Sequence, residues 1–261
     1  MIPSIRCLLI VGAMLASCAE SPTVSEGWDD EHDGVRFTRI DESVWMHTSY
    51  ATIEPWGPVR SNGIVVVGGK GAVLVDTAWN NRQTEAIIDW AQQALGVSIS
   101  SAVFTHAHDD KMGGVEALRA AGIPTYAHPQ SNLLAPINGL MPAEFDLVIA
   151  ADGTASAPAE SNGNLSLLQI YYPGPGHTAD NIVALATGTG VLFGGCLVRP
   201  AGSVSLGNTA DASIDNWEAA ADSVVRQFPG AMVVIPSHGS PGGRELLSHT
   251  VDLARSAREA E

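Results

Sequence analysis

From Val35 onward, short β-rich runs fall at 35–39, 44–49, 63–67 and 72–76, with Gly, Pro and Asn between them. Runs of this length and composition with such punctuation predict β-strands. The pattern then changes: Ile87, Trp90, Ala91 and Ala94 recur at helical spacing, and Ala102-Val103-Phe104-Thr105 reads as a buried strand. Further strands are predicted at 165–172, 182–186, 191–194 and 232–236. Ile214, Trp217, Ala221, Val224 and Phe228 mark a long amphipathic helix, and a last helix is expected over 244–258.

Two successive blocks of strands and helices predict an α/β chain, a sandwich of two sheets with helices on both outer faces. The break between blocks is expected at 135–145, where Pro136, Asn138, Gly139 and Pro142 cluster. With 261 residues and 45% hydrophobic composition, the chain can bury the core of one such domain.

The N-terminus follows another pattern. Arg6 precedes an apolar run over 7–16 that is too short to span a bilayer and reads as an export signal. It closes with Leu15-Ala16-Ser17-Cys18, which resembles a lipoprotein cleavage site; ordinary cleavage beside Ser17-Cys18-Ala19 is the competing reading. The expected organisation is a signal peptide at 1–17, a lipidated Cys18 opening an acidic tether over 18–33, and a folded domain at 34–261. This would place the protein in the periplasm, anchored to the outer membrane as a lipoprotein, with membrane contact through the lipid only.

With Cys7 in the signal and Cys18 acylated, Cys196 is the one thiol left in the domain, so no internal disulfide is expected. A lone thiol in an oxidising compartment suggests a metal ligand. The net charge of -15, with 13 Lys and Arg, argues against nucleic acid as a partner.

The densest chemistry lies in Thr105-His106-Ala107-His108-Asp109-Asp110-Lys111-Met112-Gly113-Gly114, directly after a predicted strand. Two imidazoles and a carboxylate at alternate positions can point into one cavity, although a polar surface turn would read the same way. His177, Cys196 and His238 each follow a predicted strand end as well. Strand ends of one packed sheet system share an edge, so these distant residues can converge. Imidazole, thiolate and carboxylate are the usual zinc ligands, and six are too many for one catalytic ion. His32, His47, His128 and His249 lack this context and read as surface or satisfied core residues.

In these segments the sequence resembles the class B metallo-β-lactamases, first (dizinc) subclass: Thr105 to Gly114, Gly176-His177-Thr178, Gly194-Gly195-Cys196 and Ser237-His238-Gly239 match its motifs. The likeness runs from about Val44 to the last helix. It implies a four-layer αββα sandwich (metallo-β-lactamase fold) and two Zn2+ ions at one edge. His106, His108 and His177 would hold one, and Asp110, Cys196 and His238 the other, with a shared water. It further implies hydrolysis of the β-lactam ring of penicillins, cephalosporins and carbapenems, hence antibiotic resistance, by a monomer. Glyoxalase II and lactonases, relatives in the wider superfamily, usually carry a histidine and a bridging aspartate where this chain has Lys111 and Cys196. A zinc-carrying lipoprotein is the alternative from another class, but two open sites favour catalysis.

The resemblance also marks residues around the metals. Asp110 and Asn208 are the candidate catalytic residues, Asp110 as a ligand beside the departing nitrogen and Asn208 as an amide donor to the developing oxyanion. A turn asparagine is the alternative. Arg199 stands where the family often has a lysine for the substrate carboxylate; the alternative is a solvated arginine. Residues 50–59 resemble a mobile flap, with Trp56 as an apolar substrate contact or else a core residue. Asp76, Thr77 and Lys111 are candidates to orient ligands, and ordinary strand-end packing would also explain them.

Overall fold

The computed structural model describes residues 29–260. The signal peptide, Cys18 and most of the expected tether lie outside the described residues. The first half of the fold runs β1 (Asp29–His32), β2 (Val35–Arg39), β3 (Val44–Ile53), β4 (Gly57–Gly68), β5 (Gly71–Val75), α1 (Asn81–Ala94), β6 (Ile99–Phe104), α2 (Asp109–Met112), α3 (Val115–Ala120), β7 (Thr125–Ala127), α4 (Pro129–Leu134) and β8 (Phe145–Asp146). The second half runs β9 (Val148–Ile149), β10 (Thr154–Ser156), β11 (Leu168–Tyr171), β12 (Val183–Ala186), β13 (Val191–Gly195), α5 (Ile214–Gln227), β14 (Val233–Pro236) and α6 (Glu245–Ala260).

The first eight strands form one sheet in sequence order, and the other six form a second sheet, ordered β14-β13-β12-β11-β10-β9. The first sheet is an antiparallel meander that turns parallel from β5 to β8. Residues 64–66, apolar throughout, show why two sheets and outer helices follow from the strand pleat, which sends successive side chains to opposite faces. Ile64 and Val66 point into the inter-sheet core with Phe193 and Ile235, whereas Val65 points outward to join Ile87 and Trp90 of α1. In the second sheet Leu192 and Val234 point the other way, onto Trp217, Val224 and Leu247 of α5 and α6. Three apolar cores between four layers make the expected αββα sandwich.

Two boundaries differ from expectation. Residues 29–32, expected in the tether, form β1, because Asp29 to His32 pair with Val35 to Thr38 and Trp90 Nε1 donates to Asp30 Oδ2 at 2.8 Å. The break between halves falls between β8 and β9, just after the expected span. The cluster of Pro and Gly at 136–142 punctuates the loop leading into β8 rather than the change of sheet. Among the described residues no helix is long and apolar enough to cross a membrane.

Trp217 ties the outer helical layer to the end of the second sheet. It is fully buried, its Nε1 donates to Leu197 O at 2.9 Å, and its ring stands edge-on to His177 at 5.5 Å. Trp217→Ala is expected to cost about 3–5 kcal/mol of unfolding free energy, measured by denaturant titration, and to loosen His177 with it.

Candidate metal centre

Short turns at the ends of β6, β13 and β14, and the β11–β12 connection, bring the six candidate ligands to one edge of the sandwich. After β6, residues 105–108 leave the sheet, and His108 caps α2, whose first turn carries Asp110. Gly195 ends β13 at φ +58, a backbone that a side chain rarely adopts, and turns Cys196 inward. Ser237 N donates to Gly195 O at 3.0 Å, which sets His238 beside Cys196. Thr105 O accepts from Ile182 N at 2.9 Å, so the edge is stitched between the two sheets at the site itself.

The geometry forms two lobes that share a middle. His106, His108 and His177 face one another with ring centroids 4.5, 4.9 and 5.3 Å apart, and His106 Nε2 stands 3.0 Å from His108 Nδ1. In the second lobe Cys196 Sγ lies 3.4 Å from His238 Nε2 and 3.8 Å from Asp110 Oδ2. Within each of three overlapping triads among the described residues, the ligand atoms lie within 4.8 Å of one another: His106 with His108 and Asp110, His106 with His177 and Cys196, and Asp110 with Cys196 and His238. The lobes are therefore continuous.

Electrostatics favour a cation here. Burial opposes ionisation of Cys196, but His238, Lys111 and His106 outweigh it and hold the thiol well below its ordinary range. Burial likewise opposes the Asp110 carboxylate, and the Lys111 ammonium beside it more than compensates. Burial pushes His106 down, which keeps its imidazole neutral, as ligation requires. For His238 burial also disfavours the proton, yet Cys196 and Asp110 raise it to about 9, so two anions draw a positive charge to this point. Both ring nitrogens of His177 are buried without a hydrogen-bond partner among the described residues. Such orphaned atoms carry a desolvation cost of about 1–3 kcal/mol, which ligation removes. The donor set and its orphaned imidazole thus fit zinc.

A second ring of residues fixes the ligands. His238 Nδ1 donates to Arg60 O at 2.5 Å, leaving Nε2 for the centre. Asn62, fully buried in β4, donates through Nδ2 to Pro236 O and Gly239 O, each at 2.8 Å, on either side of His238. Ser61 Oγ donates to Asp110 Oδ2 at 3.0 Å and accepts from Lys111 Nζ at 2.8 Å. The Asp76 carboxylate, on a residue at φ +64, accepts from Thr105 N at 2.6 Å and Thr105 Oγ1 at 2.8 Å. Asp180 Oδ2 accepts from Ala107 N at 2.9 Å, and Asp211 Oδ2 stands 3.1 Å from His108 Nε2. Thr77 Oγ1 accepts from Gly114 N and donates to Lys111 O, each at 3.0 Å, so it braces α2.

Ser61, Asn62, Asp180 and Asp211 escape the sequence reading. A polar Ser-Asn pair leading into the apolar run 64–67 is the signal that could have found the first two; the others sit in loops with no pattern of their own. Of the histidines given no role, His47 is buried and its Nε2 bonds Asp76 O at 3.1 Å. His128 Nδ1 caps α4 by accepting from Gln130 N, and His249 Nε2 bonds Ser203 O.

An open cleft of about 1010 Å³ lies over the centre. His108, His177, Cys196 and His238 line its floor, and Arg199 and Asn208 line it as well. The flap is longer and more regular than a loop, because β3 and β4 pair from Val44↔Val66 out to Ile53↔Gly57. Trp56 at its tip is 69% exposed and also lines the cleft, which removes the core-residue alternative. Asn208 Oδ1 accepts from Ala210 N at 3.1 Å, as a turn asparagine does, while its Nδ2 stays without a partner among the described residues.

A metal-dependent hydrolase is the class of protein that this fold and this centre define. Residues 56–238 match the model of the metallo-β-lactamase superfamily, and the chain belongs to that superfamily. It is 34% identical to a metallo-β-lactamase type 2 of Bacteroides fragilis over 232 residues, 87% of this chain and 88% of that protein. Among solved structures, a metallo-β-lactamase from Erythrobacter litoralis superposes with a TM-score of 0.84 at 42% identity, covering 87% of this chain and 99% of that one. FIM-1 from Pseudomonas aeruginosa, solved in a mono-zinc form, gives a TM-score of 0.81 at 51% identity, covering 87% and 98%.

Proposed function

We propose that the cleft hydrolyses the β-lactam ring of penicillins, cephalosporins and carbapenems with two zinc ions, and that antibiotic resistance is the outcome. His106, His108 and His177 hold one ion; Asp110, Cys196 and His238 hold the other. The observation that carries this reading is the convergence of these six side chains at one edge of the sandwich, where all but the fully buried His106 line one open cleft. A metal carrier needs no such cleft. Zinc in this setting supplies a Lewis acid and a water acidic enough to ionise near neutral pH.

The chain's own residues do the rest. Arg199 binds the carboxylate that these antibiotics carry beside the lactam nitrogen, since a guanidinium offers two parallel N–H donors. Its side chain makes no hydrogen bond or ion pair within the described residues, so the substrate breaks no internal bond to reach it. Asn208 directs its free amide toward the carbonyl oxygen as negative charge develops there. Asp110, kept ionised by Lys111, offers its carboxylate to the second lobe on the side where the nitrogen departs. Trp56 covers the bound ring system with an apolar face and excludes water.

Hydrolysis of a penicillin, a cephalosporin and a carbapenem, with zinc and after chelation, tests the reading. Turnover that vanishes on chelation and returns with two zinc ions per chain is expected; a doubly loaded, inactive protein would overturn it. Arg199→Ala is expected to raise KM for these anionic substrates at least about tenfold, and an unchanged KM removes its role. We further propose a monomer, exported to the periplasm and acylated at Cys18. Wild-type protein then partitions into detergent, and Cys18→Ala stays in the aqueous phase; equal partitioning would count against acylation.

A further inference from the structure

Arg199 is held from two directions. Its backbone N–H donates to Thr250 Oγ1 at 2.8 Å, and that hydroxyl donates in turn to Leu246 O at 2.8 Å within α6. The side chain, by contrast, has no polar anchor among the described residues, and its Nε is buried there without an acceptor. What it rests on is Gly207. A Cβ at that position would lie 2.8 Å from Arg199 Nη2 and 3.1 Å from both Cζ and Nη1. Those distances are well inside van der Waals contact, so the guanidinium packs directly against glycine backbone.

We infer that Gly207 is a specificity-determining position: by leaving no side chain under the Arg199 guanidinium, it seats that group in the cleft and aims it at the carboxylate of the substrate. This rests on the reading of Arg199 given above. A long side chain with several rotatable bonds and no hydrogen bond has many rotamers available, and only packing can select one of them. The packing surface here is the bare backbone of a residue at φ +77, two conditions that glycine meets together. Any Cβ at 207 displaces the far end of a flexible arginine rather than rigid backbone. The steric cost therefore falls on the position of the guanidinium, while the positive φ adds a separate backbone cost that a control must isolate. Gly207 acts through Arg199 and is a positioning residue. It also fixes the class of ligand, because a seated planar guanidinium distinguishes an anion with two oxygens from a neutral ester of the same shape.

The test is a set of steady-state measurements on full-length, zinc-loaded protein, with a penicillin and the methyl ester of the same penicillin. Gly207→Ala is expected to raise KM for the acid about tenfold, to leave kcat within about twofold, and to leave KM for the ester unchanged. Arg199→Ala should give the same pattern, and the double variant should be no worse than Arg199→Ala alone, since the two residues form one unit. Arg199→Lys in the Gly207→Ala background should recover part of the affinity, because a lysine head is narrower than a guanidinium. Gly188→Ala controls for backbone strain, being at φ +80 with nothing within 4 Å of its would-be Cβ. Gly207→Asn, which tolerates positive φ, serves if the alanine variant fails to accumulate.

Zinc content and melting temperature are read alongside. An equal KM rise for acid and ester, additive effects of Gly207→Ala and Arg199→Ala, or lost zinc would overturn the role of Gly207. An unchanged KM in Arg199→Ala would instead remove the carboxylate reading of Arg199, and it is told apart because it appears without any change at 207.

Discussion

Lys111→Met is expected to lower the unfolding free energy by about 3–5 kcal/mol. The Lys111 side chain is fully buried, and its Nζ lies 3.0 Å from Asp110 Oδ2 and 3.6 Å from Asp76 Oδ2. It also donates to Ser61 Oγ and Asn62 O, and stands over the Phe193 ring at 5.9 Å. Methionine matches its length and leaves no large hole, so the loss measures charge and hydrogen bonds rather than volume. Two buried carboxylates would lose their cation. Their ionised forms are then penalised by burial, so Asp110 loses affinity for metal together with stability. Denaturant titration with and without zinc separates the two effects: the loss should be smaller in the loaded protein, where metal charge replaces part of the ammonium. A change below about 1 kcal/mol in both states would show that the cluster tolerates the removal.

Cys196→Ala is expected to reduce turnover by at least about 100-fold and to weaken zinc in the lobe shared with Asp110 and His238. The thiol is 3% exposed and is held ionised against burial, so it contributes a full negative charge at close range. Alanine removes that charge without perturbing the backbone turn at Gly195. The His106, His108 and His177 lobe keeps its own donors, so one zinc per chain should remain. Metal content after dialysis against a graded chelator checks the stoichiometry, and steady-state turnover checks the rate. A variant that keeps two tightly held ions and full activity would refute the assignment. Cys196→Ser should fall between, since a hydroxyl ligates zinc only weakly at neutral pH.

Much of this fold can be read from the sequence where a strand or helix buries a face. β2 begins where its alternation predicts, because Val35 and Phe37 must face a core, and β13 is legible as an apolar run because both of its faces are buried. The helix bearing Trp217 is equally plain, since its apolar residues follow one face. β1 is not legible: Asp29-Asp30-Glu31-His32 carries no apolar side chain, and only pairing with β2 and the bond to Trp90 make it a strand. β7 to β10 hold two or three residues each, too few for any period to show. The candidate ligands are legible because each follows a predicted strand end, His106, His108 and Asp110 in one closely spaced run and His177, Cys196 and His238 after Gly or Ser. Their supports are not, because an Asn62 or an Asp180 acts through backbone groups distant in sequence, and tertiary structure alone decides which. The segment expected as a flap is the end of the β3–β4 hairpin, paired out to Ile53↔Gly57, with Tyr50 and Trp56 exposed on it.

The convergence of ligands from both sheets has a consequence for the lifetime of the protein. His106, His108 and Asp110 follow β6 of the first sheet, whereas Cys196 and His238 follow strands of the second. A bound ion is therefore a cross-link between halves that otherwise meet through an apolar core and a few bonds such as those of Asn62. Ligation stabilises the folded chain by mass action, about 2.7 kcal/mol when free zinc stands at 100 times its dissociation constant. When zinc is scarce the same chain opens more often, and proteases that act on open chains remove it. The abundance of the enzyme, and not only its turnover, then follows the metal supply of its surroundings.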